Sequence, residues 1–174
     1  MNLQLGQPTQ LGYVVRDLDT AINHWTTALG VGPWYVFDPL ELSGFEYRGQ
    51  SSDPDIQVAL ANSGSLQIEL IHQRNNAPSM YVDFLAAGHE GLQHISWWPD
   101  DYDATYQRIA GSGLSVGQQG NAGNIRFAYF DTMGEPGTVI EIADLDDQTR
   151  SFFTHIGGQC ANWDGSTNPV HRVT

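Results

Sequence analysis

Two stretches of this chain, 84 residues apart, share one order of strand end, acidic cap and helix, and this internal repeat restricts the fold more than any single segment does. With Gln10 placed on His94, Leu11 meets Ile95, Tyr13 and Val14 meet Trp97 and Trp98, and Asp17 and Asp19 meet Asp101 and Asp103. Further along, Gly64-Ser-Leu-Gln-Ile-Glu-Leu70 lies over Pro136-Gly-Thr-Val-Ile-Glu-Ile142 at an offset of 72, which puts Ile68 on Ile140, Glu69 on Glu141 and Leu70 on Ile142. The smaller offset reflects a shorter second half. Such a chain is expected to fold as two copies of one pattern around a shared core.

The local signals fill in that pattern. Leu11 to Arg16 reads as a strand because it is rich in β-branched and aromatic residues. Asp17 or Asp19 is suited to cap a helix over Thr20 to Leu29, in which Ala21, Ile22, Trp25 and Leu29 recur at roughly helical spacing and after which Gly30 suits the stop. Strands are predicted at Trp34 to Phe37, around Phe45 to Arg48, at Ile56 to Ala61 and at Leu66 to Ile71, with turns at Pro39, Asp53-Pro54 and Asn62-Ser-Gly64. A helical connector over Met80 to Ala87 leads to a strand over Leu92 to Trp98. The pattern then repeats, with a helix from Asp100 to Asp103 through Ala110 and strands at Leu114 to Gly117, Ile125 to Phe130 and Thr138 to Ile142. From Asp144 to Thr174 nothing matches the repeat. A short helix and an extended arm are expected there, with Phe152, Phe153 and Trp163 docking against the body or a second subunit and no catalytic role.

Bulk properties narrow the function. At 174 residues the chain fits one compact domain, and no apolar run approaches the length of a membrane span. The opening Met-Asn-Leu-Gln-Leu-Gly lacks the features of a signal peptide, so a cytoplasmic location is expected. The lone Cys160 has no partner for an intrachain disulfide or a cysteine zinc site, so any metal must use His, carboxylate or amide donors. Seven Lys and Arg against twenty Asp and Glu leave a formal charge of −13, which disfavours nucleic acid and anionic membranes as partners. The same deficit favours a less phosphorylated substrate.

The repeat also pairs four possible metal ligands: Gln10 with His94 on the first strands, and Glu69 with Glu141 on the last. Both glutamates sit among aliphatic residues in strands that look buried, where an unpaired carboxylate carries a large desolvation cost or takes up a proton. A cation removes that conflict. One imidazole nitrogen, one amide oxygen and two carboxylate oxygens form a mixed N/O set suited to a divalent ion, with room for water or substrate oxygens.

The motifs Gln10-Leu-Gly-Tyr-Val-Val-Arg-Asp-Leu18, Gln67-Ile-Glu-Leu70, Gly91-Leu-Gln-His-Ile95 and Gly137-Thr-Val-Ile-Glu-Ile142 resemble the glyoxalase and methylmalonyl-CoA epimerase branch of the vicinal oxygen chelate superfamily over about residues 8 to 145. The resemblance implies an α+β fold of two βαβββ modules, about 8–75 and 91–145, forming a glyoxalase-like cupped sheet, with residues 146–174 as a C-terminal extension. It implies one divalent ion (Zn, Ni, Co, Mn or Fe) held by Gln10, Glu69, His94 and Glu141, a donor set similar to that of zinc-type glyoxalase I. It further implies proton transfer next to a carbonyl through a metal-stabilised enolate or enediolate, as an isomerase, epimerase or lyase, with Glu141, alone or with Glu69, as general base. The substrate is then a small molecule offering two chelating oxygens, and a homodimer is expected. Two alternatives share the fold: an extradiol-type dioxygenase using iron(II), and a metal-free small-molecule binding or resistance protein.

Other residues compete for attention. Glu46 lies in roughly the place of a further acid in the epimerases, although its surroundings match poorly. His24, His72 and His89 are readable as exposed, strand-end and loop residues, and Arg48 and Arg126 as ion-pair partners for the many carboxylates. Tyr47 and one face of Trp97-Trp98 are candidates to line an apolar cavity.

Overall fold

The computed structural model describes residues 3–132 and 138–173, so Gly137 of the last motif lies outside the described residues. The first half contains β1 (Gln10–Val14), α1 (Leu18–Leu29), β2 (Trp34–Phe37), a hairpin of β3 (Leu42–Tyr47) and β4 (Gln50–Ser51), then β5 (Ile56–Ser63) and β6 (Leu66–Gln73). A connecting helix, α2 (Met80–Ala86), leads to β7 (Gly91–Trp97), α3 (Tyr102–Ala110), β8 (Ser115–Ala122), β9 (Ile125–Asp131) and β10 (Val139–Asp144). The chain closes with α4 (Asp147–Ala161) and β11 (Val170–Val173). Among the described residues no helix is long and apolar enough to cross a membrane.

All these strands share one curved, unclosed sheet in the order β11-β2-β5-β6-β1-β7-β10-β9-β8-β3-β4. Its centre shows the repeat. β1 runs parallel to β6 and β7 runs parallel to β10, while β1 and β7 meet antiparallel and join the halves. The fold is therefore the expected α+β cup of two βαβββ modules.

Each module earns its place by burying both faces. Asp17 accepts from the Thr20 N–H at the start of α1, and Gly30 takes the left-handed conformation (φ 67°) that ends it. Leu18 and Ile22 of α1 pack on the outward side chains Ala59, Ala61, Ile68 and Leu70. Correspondingly, Tyr102 and Ile109 of α3 cover Ala128, Phe130 and Ile142. The alternate residues face inward: Val58, Leu60 and Ile71 from one half, Phe127, Tyr129 and Ala143 from the other. Strands apolar on both faces are the signature of a sheet covered on both sides.

Three features depart from expectation. The β3–β4 hairpin leaves its own module, and β3 pairs antiparallel with β8, with Glu46 opposite Gln119. Strand β8 runs to Ala122, five residues past Gly117, where the expected strand ends. Gln118 in it is fully buried, and its Oε1 accepts from the Met80 N–H at 2.8 Å, so polar side chains are satisfied inside the sheet. The terminal helix is longer than expected and packs inward: Phe153 and Ile156 of α4 join the inner core, and Phe153 lies 5.1 Å from Trp98, ring centre to ring centre. Beyond it β11 adds to β2 in parallel at the sheet's far edge.

Because Ile156 is wholly buried in this contact, Ile156→Ala should destabilise the protein by about 2–5 kcal/mol. Urea denaturation monitored by circular dichroism measures it.

Candidate metal centre

Strand register places the site. Across β6, β1, β7 and β10 one row of neighbours reads Gln67, Gln10, Ser96, Glu141, and the next reads Glu69, Gly12, His94, Val139. All share the inner face, since residues two apart on a strand point the same way. Gln10 and His94 thus sit diagonally on the two central strands, and Glu69 and Glu141 diagonally on the flanking ones. The repeat gives Gly12 and Ser96 as the remaining matched pair. Both are small, which leaves room beside each larger side chain.

At Gly12 that room is obligatory, because a Cβ there would collide with the His94 ring atoms Cε1, Nε2 and Nδ1. The imidazole therefore lies directly over this backbone position. A β-bulge helps to aim it. Register shifts between Gly12 and Tyr13, which pair with His94 and Leu92 and leave Gln93 between them. Gln93 is buried, and its Oε1 accepts from His94 Nδ1 at 2.8 Å. With Nδ1 donating to Gln93, Nε2 faces the carboxylates and is the ring atom that a cation between them would meet.

His94 Nε2 lies 3.4 Å from Glu69 Oε2 and 3.3 Å from Glu141 Oε2, and one ligand atom from each of the three residues falls within 4.8 Å of the others. His94 is fully buried, Glu141 nearly so, and Glu69 partly. A single ring nitrogen cannot satisfy two carboxylates, and both Oε2 atoms are buried without a hydrogen-bond partner. Gln10 is buried too, and its Nε2 donates to Gln67 Oε1 at 2.8 Å, which commits the nitrogen and leaves the amide oxygen as the donor atom for a cation. Two orphaned carboxylate oxygens, an imidazole held by its far nitrogen and an amide oxygen fit a divalent ion.

Without a cation the cluster stores protons. Burial alone depresses the His94 imidazole, but Glu141 and Glu69 outweigh it and lift the ring to about 9. Burial raises the Glu69 carboxyl, aided by repulsion from Glu141 and opposed by His94. Two phenols sit beside the cluster. Tyr129 OH is 3.4 Å from His94 Nε2, and Tyr81 donates to Tyr129 at 3.0 Å. Burial, with the nearby carboxylates, pushes both phenols well above their ordinary value.

The cluster opens on a cavity of about 620 Å³ whose wall includes Gln10, Glu69, Glu141, Tyr81 and Tyr129 together with aliphatic and aromatic side chains. Trp98 lines it, whereas Trp97 donates its Nε1–H to the Gly6 carbonyl. Phe153 lines it as well, so the C-terminal extension helps build the pocket wall. Tyr47, expected in the cavity, instead donates to Asp83. Glu46 accepts from Gln119 Nε2 and lines a separate polar groove beside Asn121 and Arg126. His72 bonds to Gln57, His89 rests against Phe84 and His24 is exposed on α1. Arg48 pairs with Asp83, and Arg126 with Asp103 and Asp144. Gly12, Gln93, Tyr81 and Tyr129 were not singled out from sequence. Gly12 had a readable signal, a glycine inside a strand, while the others depend on register and on the placement of α2.

The profile of the Glyoxalase/Bleomycin resistance protein/Dioxygenase superfamily matches residues 9–129, more than half of the chain. The chain belongs to this superfamily. Solved structures share the superfamily fold at low identity. Methylmalonyl-CoA epimerase from Mycobacterium tuberculosis superposes with a TM-score of 0.58 at 22% identity, covering 83% of this chain and 91% of its own. A hypothetical protein from Bacillus halodurans gives 0.57 at 17%, covering 82% and 96%. A methylmalonyl-CoA epimerase in complex with methylmalonyl-CoA and ammonium gives 0.51 at 18%, covering 81% and 95%. No curated protein matches the sequence.

Three measurements test the geometry of this superfamily member. Gly12→Ala should displace the imidazole and weaken zinc or nickel binding by about tenfold or more, as loss of ligand orientation does. Competition with a chromophoric chelator reads this. Metal must also displace the proton that His94 holds up to about pH 9. Apparent affinity should therefore rise roughly tenfold per pH unit from pH 7 and level off near 9. Since the folded-state value lies above the ordinary 6.5, the metal-free protein should lose stability as pH rises through the same window, read as a falling melting temperature.

Proposed function

We propose that this protein is a divalent-metal-dependent isomerase, epimerase or lyase that moves a proton on a carbon next to a carbonyl. The observation that carries this reading is the pair of unpartnered carboxylate oxygens, Glu69 Oε2 and Glu141 Oε2, set beside His94 on the wall of an apolar cavity. Gln10, Glu69, His94 and Glu141 would hold the cation, which supplies Lewis acidity to two oxygens of the substrate.

The chain's own residues supply the remaining chemistry. Glu141, buried and without a hydrogen bond at Oε2, is the proton acceptor. Glu69, on the opposite flank of the central strands, has its proton affinity raised by burial and takes or returns a proton on that side. Gln10 and His94 stay fixed, one held by Gln67 and the other by Gln93. The aliphatic and aromatic wall keeps bulk water from the reacting carbon. Non-haem iron(II) oxygenases use two histidines and one carboxylate. The single His with two Glu and a Gln in this chain favours proton transfer over oxygen chemistry.

Elemental analysis of protein purified without chelators should find about one divalent ion per chain. Solvent deuterium should enter the carbon next to the carbonyl of a turned-over α-hydroxy ketone, α-hydroxy aldehyde or branched acyl compound from a screening panel. Glu141→Gln should slow that exchange by about 10²–10⁴-fold. Undiminished exchange in the variant would overturn the assignment of Glu141, and protein unable to take up metal would overturn the whole reading.

A further inference from the structure

The cavity's charge pattern bears on what it admits. Among the described residues its charged lining side chains are all carboxylates, Asp38, Glu41, Glu69 and Glu141, with no arginine or histidine. The chain contains no lysine, so its seven basic residues are all arginines. Each is already engaged. Arg16 pairs with Glu90, Arg48 with Asp83, Arg74 with Asp55 and Asp38, Arg126 with Asp103 and Asp144, and Arg172 with Asp38. Arg108 and Arg150 donate to the carbonyls of Leu3 and Leu145. A phosphate or carboxylate entering the cup would lose its hydration without meeting a cationic side chain on the wall. A cationic ligand gains little from Asp38, which pairs with two arginines, and would have to displace the metal from Glu69 and Glu141. Among the described lining residues Glu41, exposed, is then the carboxylate left to attract it.

The rest of the wall is apolar and shaped by rings, with Phe45, Phe127, Trp98 and Phe153 among its members. A volume of about 620 Å³ lies within the range of pockets that enclose drug-sized ligands. Resting on the reading of the metal centre given above, we propose that the cavity takes a neutral, largely apolar molecule of fused-ring size, its oxygens directed at the Gln10, Glu69, His94 and Glu141 cluster, and turns away acyl-coenzyme A esters and free carboxylates.

Calorimetric titration of the full chain, metal-free and zinc-loaded, tests this with one ring system carrying four end groups: 2-acetylnaphthalene, 2-naphthoate, 2-naphthylmethylamine and 2-naphthoyl-coenzyme A. The neutral ketone should bind at least about tenfold more tightly than the carboxylate or the amine in the metal-free protein, where the wall alone selects. The coenzyme A ester should show no binding at the concentrations used. Phe153→Ala should weaken the ketone about tenfold. Glu41→Arg, an exposed substitution, should narrow the gap between ketone and carboxylate. Tighter binding of the carboxylate, the ester or the amine overturns the proposal, as does absence of ketone binding to a folded protein. Metal uptake and deuterium exchange report separately on the reaction, so failure of that reading is distinguishable from failure of this one.

Discussion

An imidazole and two carboxylates forced together away from water are the constraint around which this protein is arranged. His94 Nε2 stands within 3.4 Å of both Glu69 and Glu141, and no arrangement of one proton satisfies all three. The cost of burying such a group is tolerable only if the surrounding scaffold fixes it. The antiparallel meeting of β1 and β7 does this, since each module contributes one central and one flanking residue of the cluster. Hydrogen bonds from Gln10 to Gln67 and from His94 to Gln93 then complete a second layer that sets orientation. The apolar cup, in turn, keeps the electrostatics strong by keeping the dielectric low.

Much of this was legible in the sequence because the repeat acts as an internal alignment. Gln10, Glu69, His94 and Glu141 were recognisable because each occupies a matched place beside aliphatic strand neighbours. The helix caps at Asp17 and Asp101 were legible for a local reason, since one side-chain oxygen meets one N–H three residues on. What escaped depends on partners distant in sequence. The role of Gly12 exists only because His94 arrives opposite it, and that of Gln93 only because the strand bulges there. The expected strand stopped at Gly117 because residues 118–121 are polar or glycine, and the partners that α2 and β3 give them are distant in sequence. Tyr81 became part of the site through the packing of α2 on the inner face, and Phe153 through that of α4.

The extension from Asp144 onward illustrates how a shared fold is adapted. The superfamily profile ends at residue 129, well before α4. Yet α4 lays Phe153 against Trp98 and closes part of the cup. Part of the cavity wall is thus built outside the repeat, on a segment separate from the four strands that hold the polar cluster.

The β3–β4 hairpin has a consequence for how the two halves relate. It leaves the first module, crosses to the second and becomes the last rung of that module's sheet. A duplicated unit that begins as two exchangeable copies has, in this chain, been laced together by a strand that one copy lends to the other. Neither half is a complete object when cut away: one would lose the strand it lends, the other an edge exposed to solvent. The pseudo-symmetry therefore survives at the centre, where Gln10 and His94, and Glu69 and Glu141, hold matched positions, and is lost at the rim, where the halves have become mutually dependent.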